Sequence, residues 1–322
     1  MHLNNSESSI YVAGHTGLLG RAVVKKLHND GYQNLILQPS SALDLRCQRS
    51  VDDFFQDNQP EFVILAAARV GGILANDQFP TDFLVDNLSI QLNVLNAAHK
   101  SGVKRLIFLG STCIYPREAP QPIKETALLS GPLEITNQWY AVAKIAGVLQ
   151  CQALRRQHNR DFIALMSTNL YGPGDNFDLE SSHVLPALMR RLHEAYESGS
   201  KEVTVWGSGK PRREFLYSED IADACVFVLK TPEEDLLHVA PDSMFNVGYG
   251  EDLSIRDLCD ILQEVMQTDC KLNFDLSKPD GTPRKLVDNS RLAQLGWNAP
   301  TPLRKGILHT YQWYKANVAK PS

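Results

Sequence analysis

Short, continuously apolar runs alternate along this chain with segments whose apolar residues recur at helical spacing. Ile10-Tyr11-Val12-Ala13-Gly14 is the first run, and it ends in glycine, as a buried strand entering a turn does. Leu18 to Asn29 then carries Leu18, Leu19, Ala22, Val23 and Leu27 on one helical face, with Gly31 as the stop. Leu35-Ile36-Leu37, Phe62-Val63-Ile64-Leu65-Ala66, Leu106-Ile107-Phe108-Leu109 and Phe162-Ile163-Ala164-Leu165-Met166 continue the series of strands. Helical patterns fall between them, such as Asp86 to Lys100 with Leu88, Leu92, Leu95 and Ala98. Strands with no polar alternation are covered on both faces, so the pattern predicts an α/β fold: a Rossmann-type, doubly wound parallel sheet. After Gly172-Pro173-Gly174 the alternation weakens and Pro, Gly and charge increase. We therefore expect a dinucleotide-binding domain over 1–171, with 214–230 returning to it. A smaller α/β substrate-binding domain is expected from 172–213 and 231–322.

Composition narrows the function classes. The chain has 322 residues, 43% hydrophobic and 21% charged, which excludes a disordered protein and makes two compact units reasonable. Lys plus Arg is 32 against 37 Asp plus Glu, a net charge of -5, which argues against a nucleic-acid binder but permits a local basic pocket. No apolar stretch suits a bilayer, and the segment Met1 to Glu7 lacks the features of a secretory signal. A cytoplasmic protein with no membrane partner is expected, with Met1 to Ser9 as a disordered tail. Cys47, Cys113, Cys151, Cys225, Cys259 and Cys270 form no C-x-x-C pair and read as reduced thiols. The nine histidines are scattered, so no metal site is expected.

The chemistry begins at Gly14-His15-Thr16-Gly17-Leu18-Leu19-Gly20, a G-x-x-G-x-x-G turn between a predicted strand and a predicted helix. Glycines there permit a sharp turn and let a diphosphate approach the free N–H groups of the helix N-terminus. The second strand runs into Gln38-Pro39-Ser40-Ser41 without an acid at its tip, which disfavours a plain NAD site. No arginine or lysine stands at that tip for a 2′-phosphate either; Ser40 and Ser41 offer hydroxyls, and Asp44 is placed to face the adenine.

Tyr140 and Lys144 are four residues apart, so on a helix they share a face. An ammonium beside a phenol lowers its pKa, and such a tyrosine exchanges a proton with a carbonyl or alcohol oxygen during hydride transfer. Ser111, closing the fourth strand, is placed to bond the same oxygen. Tyr311 and Lys315 match the same spacing, but they lie on a predicted C-terminal surface helix and read as coincidence.

These residues resemble the extended short-chain dehydrogenase/reductases. Among those they are similar to the enzymes that epimerise and then reduce GDP-4-keto-6-deoxy-D-mannose to GDP-L-fucose. The similarity runs from about Ile10 to about Trp313. It is carried by the glycine turn, by Ala66-Ala67-Ala68 with Val70-Gly71-Gly72-Ile73, and by Gly110-Ser111-Thr112-Cys113-Ile114-Tyr115-Pro116. Tyr140 to Gly147, Thr168 to Pro173, Ser182-His183-Val184, Val205 to Gly209, Arg213 to Leu216 and Lys278-Pro279-Asp280-Gly281-Thr282-Pro283-Arg284-Lys285 extend it. The resemblance implies Tyr140 as proton donor at C4, Lys144 on the nicotinamide ribose, Ser111 on the C4 oxygen, and Cys113 with His183 as the acid/base pair at C3 and C5. It implies NADP as cofactor, held by Gly14, His15, Thr16, Gly17, Leu18, Leu19, Gly20, Ser40, Asp44, Leu45, Ala67, Leu109, Lys144, Asn169, Leu170 and His183. It implies a GDP-sugar substrate on Arg191, Trp206, Arg213 and Asp280. Lys210, Arg212 and Lys285 are further cations of diphosphate type. The chain departs from its relatives at Thr16 and Ser40, where they carry the arginines that hold the 2′-phosphate.

Two other readings stand beside this one. A 4-epimerase that keeps its NAD is opposed by Cys113 with His183 and by the missing acid after the second strand. A non-catalytic, cofactor-sensing scaffold is opposed by the presence of Tyr140, Lys144 and Ser111 together. Ala141, Ala143, Ala146 and Gly147 permit close helix approach, and relatives pair such helices about a two-fold axis, so a homodimer is expected.

Overall fold

The computed structural model describes residues 2–179, 181–278 and 280–319; Met1 and Pro279, which belong to segments named above, lie outside them. The apolar runs form strands β1 (Ile10–Ala13), β2 (Leu35–Ile36), β3 (Phe62–Leu65), β4 (Arg105–Ser111) and β5 (Asp161–Ser167). The later strands are β6 (Asn169–Tyr171), β7 (Glu202–Trp206), β8 (Arg212–Tyr217) and β9 (Met244–Val247), then β10 (Asp252–Ser254), β11 (Lys271–Asp275) and β12 (Arg284–Lys285). Six of these strands make one parallel sheet in the order β2-β1-β3-β4-β5-β9. Strand order reverses between β1 and β3, and a sheet of this kind binds ligands in the crevice at that reversal, outside the carboxyl ends of its strands.

Helices α1 (Leu18–Asn29), α2 (Gln48–Asn58), α3 (Ile73–Gln78), α4 (Pro80–Lys100) and α5 (Gln138–His158) connect the early strands; α6 (Val184–Ser198) and α7 (Ser218–Lys230) follow. One core lies between the sheet and α2, α4 and α5, built on Phe55, Val94, Phe108 and Val148. A second lies on the opposite face against α1 and α7, built on Val23, Leu27, Ile107 and Ile221. Each such fully buried side chain contributes roughly 1.5–3 kcal/mol relative to exposure. A third core joins α6 to the helices Ile255–Met266 and Leu303–Asn317 through Leu188, Leu192, Leu258 and Ile307.

The chain crosses between these layers more often than composition suggests. β8 lies in a small sheet with β6, β10 and β12, whereas α7, directly after it, packs on α1. β9 comes from the later half of the chain yet forms the edge of the large sheet, beside β5. The expected tail is corrected: Leu3 is 1% exposed, its N–H donates to the Leu229 carbonyl at 2.7 Å, and Ser8 is buried. One apolar residue in a polar stretch is enough to anchor it, because it fills a space above α7. Tyr311 also departs from the expected surface position. It is buried and its hydroxyl lies 3.0 Å from His193 Nδ1, with the Lys315 ammonium over its ring.

Candidate active site

β1 and β3 come so close at their carboxyl ends that a Cβ on Gly14 would lie 2.7 Å from Ala67 Cα; Gly14 also has φ +84°. A Cβ on Gly20 would lie 2.1 Å from the Gly14 carbonyl oxygen. Only glycine fits at these two positions, and the turn leads into the N-terminus of α1 with Gly17 as its cap. A groove of about 900 Å3 opens there. Every residue expected to hold a dinucleotide lines it except His15. His15 Nδ1 is instead a buried nitrogen with no protein partner. The cradle, the helix N-terminus and the volume of the groove fit a dinucleotide.

A second cavity of about 300 Å3 adjoins the groove. Gly71, Ser111, Tyr140, Thr168, Asn169, Ser182 and His183 line both. The Tyr140 face of α5 therefore stands at their junction, opposite the end of β4. Arg191, Trp206, Arg213 and Asp280 line the smaller cavity, as does Cys113. Arg191 stacks on Trp206 at 4.7 Å, and the Lys278 ammonium is 5.3 Å from the same ring. Asp280 accepts hydrogen bonds from Ser208 N at 2.7 Å and Ser208 Oγ at 2.8 Å, closing the loop after β7 over the cavity. Arg212 points elsewhere, onto Asp252, and Lys210 lines neither cavity.

Local structure brings the reactive groups together. Ser111 ends β4 in extended backbone, and its Oγ accepts the Cys113 N–H at 3.4 Å across a single tight turn, Thr112–Ile114. His183 stands immediately before α6, and its loop is clipped to the Gly71-Gly72 loop by the Gly72 N–H on the Ser181 carbonyl at 3.1 Å. Lys144 Nζ donates to the Leu109 carbonyl at 2.8 Å and lies 5.8 Å from the centre of the Tyr140 ring.

Burial sets the protonation states. It holds the Tyr140 phenol above its usual range and pushes the Lys144 ammonium down to about 8. The phenol is therefore not lowered by its lysine, contrary to the expectation from spacing, because desolvation of both groups dominates. Burial also raises the Cys113 thiol, against the pull of Lys285, Ser111 and Lys144, and lowers the His183 imidazole. Thiol and neutral imidazole together carry the same single proton as a thiolate–imidazolium pair.

Two residues stand out beyond the expected set. Lys285 is of diphosphate-binding type, yet its charge bears on Cys113 as well as on Arg213 and Glu134. Glu134, which no sequence signal marks, is a buried carboxylate in the smaller cavity, 3.4 Å from Thr282 Oγ1. Glu214 fixes the strand that bears Lys285. Its buried carboxylate accepts the Gly250 N–H at 2.6 Å and the Val287 N–H at 3.0 Å, and burial pushes its pKa up to about 7. Among the described residues, no cluster of His, Cys, Asp or Glu suits a metal ion.

The profile of the NAD dependent epimerase/dehydratase family matches residues 10–248, and the chain belongs to that family. Its relatives point more narrowly. It is 54% identical to GDP-L-fucose synthase 1 of Arabidopsis thaliana, over 98% of this chain and 96% of that one. It is 46% identical to GDP-L-fucose synthase of Escherichia coli, over 97% and 98%. A solved GDP-L-fucose synthetase from Naegleria fowleri bound to NADP superposes with a TM-score of 0.87 at 30% identity, covering 99% of this chain and 97% of that one.

Proposed function

We propose that this chain converts GDP-4-keto-6-deoxy-D-mannose to GDP-L-fucose, first inverting C3 and C5 and then reducing the C4 ketone, with NADP as cofactor. The observation that carries the reading is the junction: a phenol, a serine hydroxyl and an imidazole border both cavities, with a thiol just inside the smaller one. Cys113, as thiolate, removes the acidic proton beside the ketone, and the electron pair moves onto the C4 oxygen, where Ser111 and Tyr140 donate hydrogen bonds. His183 as imidazolium returns a proton to the same carbon from the opposite face. The proton on sulfur then passes back to the imidazole, which restores the pair for the second carbon. NADPH, once bound in the groove, would supply the hydride for C4. Tyr140, kept protonated by burial, gives its proton to the C4 oxygen, and Lys144 holds the ribose side of the groove. Arg213 and Arg191 hold the diphosphate, and Trp206 offers a face for the guanine.

Glu134 and Lys285 shape the sugar end of the cavity. The helices α4 and α5 pack side by side and leave Val85, Leu92, Val142 and Leu149 between 40% and 50% exposed. Each helix presents its pair seven residues apart, one stripe per helix, and two copies of that face close a homodimer. All six cysteines are unpaired, which fits a reducing compartment such as the cytoplasm.

The test follows NADPH absorbance with two substrates, the 4-keto-6-deoxy sugar and the same sugar already epimerised. Cys113→Ser is expected to lose roughly a hundredfold on the first, the usual range for a missing acid/base group, and little on the second. Equal loss on both removes Cys113 from the epimerisation step, and no NADPH consumption by the wild-type chain overturns the whole reading.

A further inference from the structure

The end of the groove beside β2 carries five charged side chains that take no part in the proposed proton and hydride transfers. Arg46 Nε and Nη2 grip Asp44 Oδ1 and Oδ2, each at 3.0 Å, and Arg46 Nη1 reaches Asp86 Oδ1 at 3.3 Å. The other oxygen of Asp86 accepts Arg69 Nη1 at 2.9 Å, and Arg69 Nη2 lies 3.0 Å from Asp82. An alternating row, Asp44–Arg46–Asp86–Arg69–Asp82, results, with three carboxylates to two guanidiniums. Arg46, Asp44, Asp86 and Arg69 line the groove together with Thr16, Ser40 and Ser41.

In a sheet of this topology, the end of the second strand and the first glycine turn receive the ribose 2′ position. The side chains there, Thr16, Ser40 and Ser41, are uncharged. Among the described residues lining the groove, the arginines are Arg46 and Arg69, and the lysine is Lys144, one helical turn from Tyr140. Arg46 is half-exposed and its partners are carboxylates, so a phosphate in their place offers the same forked geometry. We propose that Arg46 takes the 2′-phosphate of NADP, and that Asp44 and Asp86 compete for the same guanidinium, so that cofactor selectivity in this chain is set by an exchange of partners at Arg46. The inference rests on the dinucleotide reading of the groove. The carboxylates also repel the incoming dianion, so removing either charge favours the phosphorylated cofactor twice over.

Calorimetric titration of the full chain with ADP and with 2′,5′-ADP reads this directly, since neither probe contains nicotinamide and no turnover is needed. Arg46→Gln is expected to weaken 2′,5′-ADP by about tenfold, the scale of one charge-assisted hydrogen bond, and to leave ADP unchanged. Asp86→Asn is expected to strengthen 2′,5′-ADP several-fold, again without moving ADP, and Asp44→Asn, at a residue that also faces the adenine, to strengthen 2′,5′-ADP relative to ADP. An Arg46→Gln protein that binds 2′,5′-ADP as the wild type does, or that loses both probes equally, overturns the proposal, as do carboxamide variants with an unchanged preference for 2′,5′-ADP over ADP. A wild-type chain that binds ADP but shows no preference for 2′,5′-ADP overturns it while leaving the dinucleotide groove intact. Failure to bind either probe overturns both.

Discussion

Lys144 sits in the core with its ammonium on a backbone carbonyl, and that placement disfavours its charged form. Its folded pKa of about 8 lies below the ordinary lysine value of roughly 10.4. The unfolded chain therefore binds more protons between those values, and stability rises with pH across that window, with a constant penalty below it. Lys144→Met is expected to raise the melting temperature at pH 7, by the equivalent of ~1–3 kcal/mol, while abolishing reduction. A melting temperature that falls instead would mean that the hydrogen bond outweighs the desolvation. Lys285 acts in the opposite sense on its neighbour, because its charge lowers the Cys113 pKa against the effect of burial. With Lys285→Met, alkylation of Cys113, followed by mass spectrometry across a pH series, is expected to shift to higher pH. A profile that does not move would show that Lys285 serves only the diphosphate. The sequence marks Tyr140, Lys144, Ser111 and the glycine turn because their spacing and setting are themselves the signal. Arg46 and Glu134 leave no such mark: each is brought to a cavity by a loop path that no local pattern encodes.

At the level of elements, the legible strands are those buried on both faces, since an unbroken apolar run of four or five residues between turn signals must be covered above and below. β9 stays hidden because Asn246 interrupts its apolar run and its flanks are rich in charge and proline, and pairing with β5, not local pattern, makes it a strand. The elements are tied by side chains as well as by pairing. Arg105 at the start of β4 is fully buried; it meets Asp161 of β5 at 2.6 Å and donates to the Val228, Leu229 and Thr231 carbonyls at the end of α7. Arg105→Met strands one buried carboxylate oxygen and the Val228 and Thr231 carbonyls, while the Leu229 carbonyl keeps the Leu3 N–H. We expect a loss of ~3–5 kcal/mol in denaturant unfolding, with the midpoint shifted and the slope unchanged. Gly20→Ala acts on another joint. The clash with Gly14 forces the turn open, and calorimetry is expected to show loss of ADP binding in a protein that still folds.

For the whole molecule, the paired stripes on α4 and α5 gather four exposed apolar side chains on two neighbouring helices. Leu92→Glu with Val142→Glu is expected to convert a dimer to a monomer in sedimentation velocity. A wild-type chain that already sediments as a monomer removes that face from any assembly. No helix among the described residues is long and apolar enough to cross a membrane.

The two cavities share one stretch of wall, and Cys113 lines the smaller alone. In the proposed reaction the base for the first half of the chemistry therefore stands outside the dinucleotide groove. Protein stripped of all dinucleotide and given the keto sugar in heavy water should still wash deuterium into the two carbons flanking the carbonyl, long before any reductant arrives. On that outcome the inversion of stereochemistry and the irreversible commitment are separable events in one molecule, and the second can be withheld by leaving out the reductant.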